Sequence, residues 1–352
     1  MLFRSIWSAI YVAISRANLV IQRVPDVPGL PDAERGQILG QAYFLRALHY
    51  HNLVKYWGAV PMPLEPITDP AQARQFVRTP AAQVYEQIIE DLDSAEALMS
   101  PSTLTRRASP KAVHALRSRV LLFTGDWQGV IDAATAALAL GDQLAPTYSS
   151  LFAANGANTV EDIFRMVSSA QEYNEMGYYY LTTGRREVSP SNGLYDALAA
   201  NPTDTRFPWS VRKTGTEIEG RKFPTTIGAE HLHIIRLAEV LLNRAEAYAR
   251  LDQLALAVAD YNRVRVRAGL LPHVLGVDVT TRDQVLAAIW HERRLELAME
   301  GDRFTDLVRT GRAVSVLGIQ DRAYQVLFPI PQSEIDNAPT LGQNDGYGGS
   351  TP

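Results

Sequence analysis

The chain has 352 residues, 46% of them hydrophobic and 20% charged, with a formal net charge of −4 and no cysteine. That is enough chain to bury one large core or two ordinary ones, and the composition is not that of a disordered protein. The slight negative charge provides no basic field for nucleic acid or anionic lipid. Without cysteine the sequence as it stands holds no disulfide, thiolate zinc site, cysteine nucleophile or lipid-bearing thiol.

Arg4 followed by the apolar run Ile6 to Ile14 has the look of a secretory leader. However, Trp7, Ile10 or Tyr11, Ile14, Asn18 and Ile21 recur at three- and four-residue steps, with Arg16 and Arg23 outside that stripe, which predicts an amphipathic helix. No apolar stretch elsewhere reaches the roughly 20 residues that span a bilayer. Asp32 reads as the N-cap of a helix running to about Trp57. Phe44, Leu45 and Leu48 form one stripe on it and Tyr43, Ala47, Tyr50 and Val54 a second, so it should pack on more than one side. Gly58, Pro61 and Pro63 end it and impose an extended connection.

Thr79–Pro80 and Ser109–Pro110 each join a capping oxygen to a proline suited to the first turn, predicting two further helix starts. The second of these helices reaches Phe123, Gly125–Asp126 breaks it, and another follows from Trp127 to about Leu140. Over residues 142–232 helical periodicity fades and Gly, Asn, Thr, Ser and Pro rise, with aromatics in polar surroundings. This predicts long loops, short strands and one brief helix near Asn192–Ala200. Helices resume at about His233, turn at Leu251–Asp252, and include a helix from the capping pair Thr281 and Gln284 through Glu300. A short helix over Arg303 to Arg309 and an irregular tail from Val326 follow.

Two helix pairs share one spacing. Ala245, Tyr248, Asp252, Ala257, Tyr261 and Val264 follow the small/large pattern of a tetratricopeptide repeat, and Ser118, Leu121, Gly125, Val130, Ala134 and Ala137 repeat it. Each such pair leaves apolar surface that only another pair covers, so repeats stack. The expected fold is therefore all-α: a tetratricopeptide-repeat-like scaffold with a loop-rich, minor-strand insertion. Residues 1–141 and 233–352 supply the helices and 142–232 the insertion, all within one structural domain. Such a scaffold predicts binding without saying what is bound.

Four segments then carry a resemblance: GQAYFLRALHYHNLVKYWGAVPMPLEPIT at 40–68, RLAEVLLNRAEAYARL at 236–251 with VRVRAGL at 264–270, ERRLELAMEGDRFTDLVRTGRA at 292–313, and LFPIPQSEIDNAPTLGQNDGYG at 327–348. In content and order they resemble the SusD/RagB family. The resemblance implies a surface-exposed lipoprotein of a Gram-negative outer membrane. It would sit over a SusC-like, TonB-dependent transporter barrel and capture oligosaccharide for import without cleaving it. The chain departs from the family in showing no lipoprotein signal or acceptor cysteine, and in starting at a helix that normally follows a further N-terminal segment. A truncated or trimmed chain is the expectation, and its loop region is short for the family.

Sugars pack the C–H face of a pyranose on an aromatic ring while polar side chains bond the hydroxyls. Tyr178, Tyr179 and Tyr180, between Gly177 and Gly184–Arg185–Arg186, fit that chemistry. In the family the loop before a segment like VSPSNGLYDAL often faces ligand. The candidate ligand-binding residues are therefore Tyr178, Tyr179, Tyr180, Arg185, Asn192 and Trp209. The competing role for the tyrosines is packing, as alternating residues of a strand, against the helices. Asp204 and Arg206 match the family's D-x-R element and suggest loop bracing.

Glu292, Glu296 and Glu300 recur every four residues; with Arg293, Arg294 and Arg303 beside them they read as structural ion pairs rather than as a glycosidase carboxylate pair. His231 and His233 could share a metal on one strand face, but no third ligand is near, and helix entry is the better reading. No catalytic residue, cofactor or metal is expected. The alternative functions are a protein- or peptide-binding repeat scaffold and, more remotely, a glycoside hydrolase.

Overall fold

The structure is a computed structural model and describes residues 2–102, 104–152, 159–169, 171–228 and 230–348. In chain order its helices are α1 (Leu2–Arg23), α2 (Asp32–Trp57), α3 (Pro70–Ala73), α4 (Ala81–Leu98), α5 (Pro110–Thr124) and α6 (Trp127–Ala139). Strand β1 (Asp162–Met166) precedes three short helices, α7 (Met176–Tyr180), α8 (Asn192–Ala199) and α9 (Phe207–Ser210). Strands β2 (Val211–Thr214), β3 (Glu217–Gly220) and β4 (Leu232–Arg236) lead to α10 (Leu237–Arg250), α11 (Leu254–Arg267) and α12 (Arg282–Glu296). The short α13 (Arg303–Arg309), α14 (Ala313–Leu317) and α15 (Gln332–Asn337) finish the list. Helix takes 57% of the structure and strand 7%, so the all-α class with minor strands is what folds. Among the described residues no helix is long and apolar enough to cross a membrane.

The chain divides into two compact units. The first draws on residues 2–102, 108–113 and 304–348. Here α2 packs on both α1 and α4, as its two apolar stripes require. Trp7, Ile10, Ile14 and Asn18 are buried along α1 as the spacing predicted, while Ile21 is only half-buried and Arg16 and Arg23 are exposed.

The proline-rich connection after α2 cannot form a ladder, because its prolines lack N–H groups. Side chains satisfy its carbonyls instead: Tyr11 donates to Pro61 O (2.7 Å), Tyr50 and Asn18 to Pro63 O (2.6 and 2.9 Å), and Arg46 to Leu64 O (3.0 Å). Buried Arg46 is held in turn by a two-pronged bond to Asp91 (2.8 and 2.7 Å). Two cap assignments change. Asp32 lies inside the first turn of α2 with Pro31 at the cap, and Pro80 rather than Thr79 caps α4, neither with a side-chain bond. Thr79 is instead bridged to Val60 through both backbone groups (2.8 and 3.2 Å), a long-range contact that local cap rules do not see. Ser109 does cap as expected, its hydroxyl accepting from Ala112 N at 3.3 Å.

The second unit comprises residues 104–107 and 114–303. In it α10 packs on α6, α11 and α12. Both repeat positions behave alike. Ser118, Val130, Ala134 and Ala137 are buried in one pair, and Ala245, Ala257, Tyr261 and Val264 in the other. The turn residues Gly125 and Asp252 occupy the same place in the pattern, and both are left-handed (φ 76° and 62°). Leu122, Val130, Ile131 and Ala247 form a shared core cluster. The Thr281–Gln284 capping box is present, but α12 ends at Glu296, four residues before the expected Glu300.

Two two-stranded sheets decorate this unit. β2 and β3 form a hairpin closed by the Thr214–Glu217 pair, with Gly215 (φ 61°) in its two-residue turn. β1 and β4 pair antiparallel, Asp162 opposite Arg236 and Arg165 opposite His233. Strand β4 corrects the expected helix entry at His233. His233 spends both ring nitrogens locally, Nδ1 on Asp162 Oδ1 (2.6 Å) and Nε2 on Leu151 O (2.9 Å).

Candidate ligand-binding site

The second unit is organised by a buried ionic network. Arg206, at the N-cap of α9, sends its Nε and one terminal nitrogen to Asp204 (2.9 and 2.7 Å) and the other to Glu292 of α12 (2.5 Å). Arg236, at the end of β4, binds Glu161 (2.8 Å), Glu296 (2.5 Å) and Glu300 (2.7 Å). Lys222 binds Glu300 (2.5 Å) and Glu296 O (2.9 Å), Arg265 binds Glu292 (3.2 Å), and Arg267 binds Glu161 (2.9 Å) and Glu296. Five cations thus face five carboxylates, and the charges cancel.

Burial alone would raise the pKa of Glu300, but Arg236 and Lys222 outweigh it and hold the carboxyl at about 2. Glu296 is likewise pushed below the usual carboxylate range by Arg267, Arg236 and Arg206, against the effect of burial. Burial works against the Arg206 charge as well, and Glu292 and Asp204 overcome it. The three glutamates are therefore structural, as expected, but their cations come from distant segments; Arg293 donates to Asn243 instead (2.6 Å).

The tyrosines lie on α7, a helical turn rather than the strand weighed from sequence. Two glycines make that turn possible. A Cβ on Gly177 would stand 1.8 Å from Thr225 O, and one on Gly184 would stand 2.2 Å from Tyr178 O. The Tyr178 carbonyl accepts from the amides of both Arg185 (2.8 Å) and left-handed Arg186 (3.3 Å, φ 46°), folding the arginine segment back on the tyrosines.

All three rings are half-buried. Tyr178 and Tyr179 meet edge to face at 5.7 Å, while Tyr180 turns inward and stacks on buried Phe223 at 6.2 Å. The Tyr179 hydroxyl donates to Glu175 (3.3 Å), and that carboxylate raises its pKa and keeps it a donor. Arg185 is exposed and ion-paired with Glu187. Asn192 is exposed at the first position of α8, after the Ser191 cap.

Trp209 is 39% exposed and stands apart from the tyrosines in a cleft of about 360 Å³, whose other walls are Thr147, Tyr148, Ser149, Thr205, Pro208 and Arg267. Tyr148 is fully buried beneath it, its ring flanked by Lys222 and Arg267 at 5.4 Å each. The structure therefore brings Tyr178, Tyr179 and Arg185 together, turns Tyr180 toward the core, and gives Trp209 separate surroundings. Thr147, Ser149 and Thr205 were not singled out from sequence, since lone hydroxyl residues in a loop carry no pattern. A second cavity, about 440 Å³, lies in the first unit against Trp7, Tyr11, Phe76 and Arg74 and contains none of the predicted residues.

Residues 2–122 match the family model described as starch-binding associating with outer membrane, and residues 165–321 match that of the SusD family. SusD-like protein P38 of Formosa agariphila is 25% identical, over 97% of this chain and 79% of its own. The starch-binding protein SusD of Bacteroides thetaiotaomicron is 29% identical over 52% of this chain and 32% of its own. The solved structure of a laminarin-binding SusD-like protein superposes with a TM-score of 0.83 and 26% identity, covering 98% of this chain and 86% of that one. The same family thus answers to both ends of the sequence and to the helical-repeat fold, and the chain belongs to the SusD/RagB family.

Proposed function

We propose that this protein captures oligosaccharide or polysaccharide at the outer membrane and passes it, uncleaved, to a TonB-dependent transporter. The observation that carries the reading is the pair of accessible aromatic surfaces, Tyr178–Tyr179 beside Arg185, and Trp209 beside three hydroxyls on a turn anchored by the buried Arg206–Glu292 pair. Aromatic faces flanked by neutral and paired polar groups suit sugars. The names of two relatives, one starch-binding and one laminarin-binding, point the same way. Non-catalytic capture is supported by the state of Glu292, Glu296 and Glu300. All three are tied into ion pairs with side chains almost fully buried, whereas glycosidase carboxylates must flank an accessible bond.

The test is affinity electrophoresis of the purified protein against a panel of polysaccharides, with Tyr179→Ala and Trp209→Ala alongside. Retardation that weakens in either variant is expected. A well-folded protein that no glycan retards would sink the reading. The transporter step is checked separately, by co-purification of an outer-membrane barrel.

Protein recognition by the repeat scaffold is the second reading, and one feature favours it. The loop between α11 and α12 exposes Leu271 (84%) and Val277 (75%) yet is stiffly built. Asn262 and His273 exchange two bonds of 2.8 Å, and Gly276 N donates to Val279 O at 2.8 Å. An ordered apolar loop of this kind suits a protein partner, and the transporter is such a partner, so the two readings are compatible.

A further inference from the structure

Trp209 sits on a frame that leaves it little freedom. Its neighbours Arg206 and Ser210 are both fully buried, and the amides of Trp209 and Ser210 both donate to Arg206 O (3.1 and 2.8 Å). The indole is thus presented on a turn anchored to α12 through the Arg206–Glu292 pair. A preformed platform avoids the ordering cost that a mobile ring would incur on binding.

Apart from Pro208, the walls around it carry polar groups, and these are uncharged with one exception. Thr205 Oγ1 donates to Ala268 O (3.1 Å), which leaves its lone pairs as acceptors. Thr147 and Ser149 share a single hydroxyl–hydroxyl bond of 3.0 Å, so one of the two O–H groups remains a donor. A wall that both accepts and donates through hydroxyls complements a ligand whose own hydroxyls do both.

The exception is Arg267, and its charge is already in use. The side chain is 4% exposed and its two terminal nitrogens are divided between Glu161 and Glu296, while its unpartnered Nε is buried away from solvent. Among the described residues no other ionisable group lines the cleft apart from the buried Tyr148 phenol, which donates to Glu296 O (3.3 Å) or shares a hydrogen bond with Ser210 (3.2 Å). A carboxylate or sulfate entering here would meet no free cation. Drawing Arg267 toward it would strip a partner from Glu296, a carboxylate buried in the same network. The volume of about 360 Å³ lies at the small end of the range of roughly 300–1,000 Å³ for small-ligand sites, in keeping with one or two sugar rings.

We infer that the Trp209 cleft is a subsite for a neutral pyranose unit, stacked on the indole and bonded by Thr147, Ser149 and Thr205, and that it selects against uronic and sulfated sugars. This rests on the glycan-capture reading and adds a ligand class to it.

The test uses the full chain in affinity electrophoresis against laminarin, soluble starch and galactomannan as neutral probes and alginate and carrageenan as anionic ones. Wild type, Trp209→Ala and Ser149→Ala are compared, with melting temperatures recorded. A neutral glycan should retard the protein equally between about 0.05 and 0.5 M NaCl, since no ion pair to ligand is screened. Trp209→Ala should weaken that binding about tenfold, and Ser149→Ala roughly three- to fivefold. The substituted side chains do not enter the ionic network, so the fold should persist, and Ser149→Ala gives a second reading that involves no aromatic. Neutral binding indifferent to both variants, or Trp209-dependent binding of alginate or carrageenan, would overturn the inference while leaving glycan capture standing. Retardation by no glycan at all would overturn the capture reading itself, and the subsite with it.

Discussion

Replacing Arg206 by Met tests whether the ionic network holds the second unit together. The side chain is fully buried, as are those of its main partners Asp204 and Glu292. Met fills similar volume but removes the charge-assisted bonds to Asp204, Glu292 and Glu296. Glu292 keeps Arg265 at 3.2 Å, whereas Asp204 loses the cation that its two oxygens share. Removing one partner of a buried pair costs about 3–5 kcal/mol, because the other charge is left uncompensated. For a unit of this size that lowers the melting temperature by about 6–20 °C.

Arg185→Met is the control. Arg185 and Glu187 also form a short ion pair, but their side chains are 60% and 45% exposed, so about 0–1 kcal/mol is at stake. Thermal melts followed by circular dichroism compare the two. Adding Asp204→Asn to Arg206→Met should recover part of the loss, since the stranded charge is then gone. If Arg206→Met melted within about 2 °C of Arg185→Met, the claim that burial makes this network structural would be wrong.

Acid should weaken the same network. Glu300 is held at about 2 in the fold, below its value in an unfolded chain, so its stabilisation is present above pH about 4.5 and is lost as pH falls toward 2. Roughly 3 kcal/mol is expected from this group; urea midpoints at pH 7, 4 and 3 measure it, and Glu300→Gln should flatten the acid limb. Asp252 is left-handed at the turn where the other repeat has Gly125, so Asp252→Gly should raise stability by about 0.5–1 kcal/mol in chemical denaturation; a loss would mean the aspartate side chain supports the turn. Gly184→Ala would drive a Cβ against the Tyr178 carbonyl and should cost about 1–3 kcal/mol. It should also weaken any glycan binding that Tyr179→Ala weakens; unchanged binding with normal stability would show that the turn does not position the tyrosines.

What was legible in the sequence was mostly local. Thr281 and Gln284 announce a capping box within four residues, and that box forms. The repeat pattern placed Gly125 and Asp252 in register, and the backbone agrees at both. What failed depended on partners far away. Thr79 has the chemistry of a cap but is drawn into a bridge with Val60. His233 belongs to a strand because β1, about seventy residues earlier, supplies its ladder, and five residues reading LHIIR show no alternation to signal it. Glu292, Glu296 and Glu300 were read correctly as ion-paired, yet their cations could not be named, since Arg206, Lys222, Arg236, Arg265 and Arg267 converge only in three dimensions. At the candidate site, the aromatics stood out by composition. Their sorting into an inward Tyr180, an outward Tyr178–Tyr179 pair and a separate Trp209 cleft depended on packing that a sequence does not display.

The first unit is assembled from segments far apart in the sequence. The Trp57 indole donates to Pro329 O (3.0 Å), Asn344 donates to Trp57 O (3.0 Å), and Phe328 closes edge-on against the Trp57 ring at 5.6 Å. The ribosome makes these groups nearly three hundred residues apart. Helices α1, α2 and α4 therefore wait, with the seat for Phe328 uncovered, until the segment that carries Phe328 and Pro329 has been made. A nascent chain in that state displays aromatic surface to chaperones and export machinery. Stop codons introduced before Phe328 should leave a product that they retain.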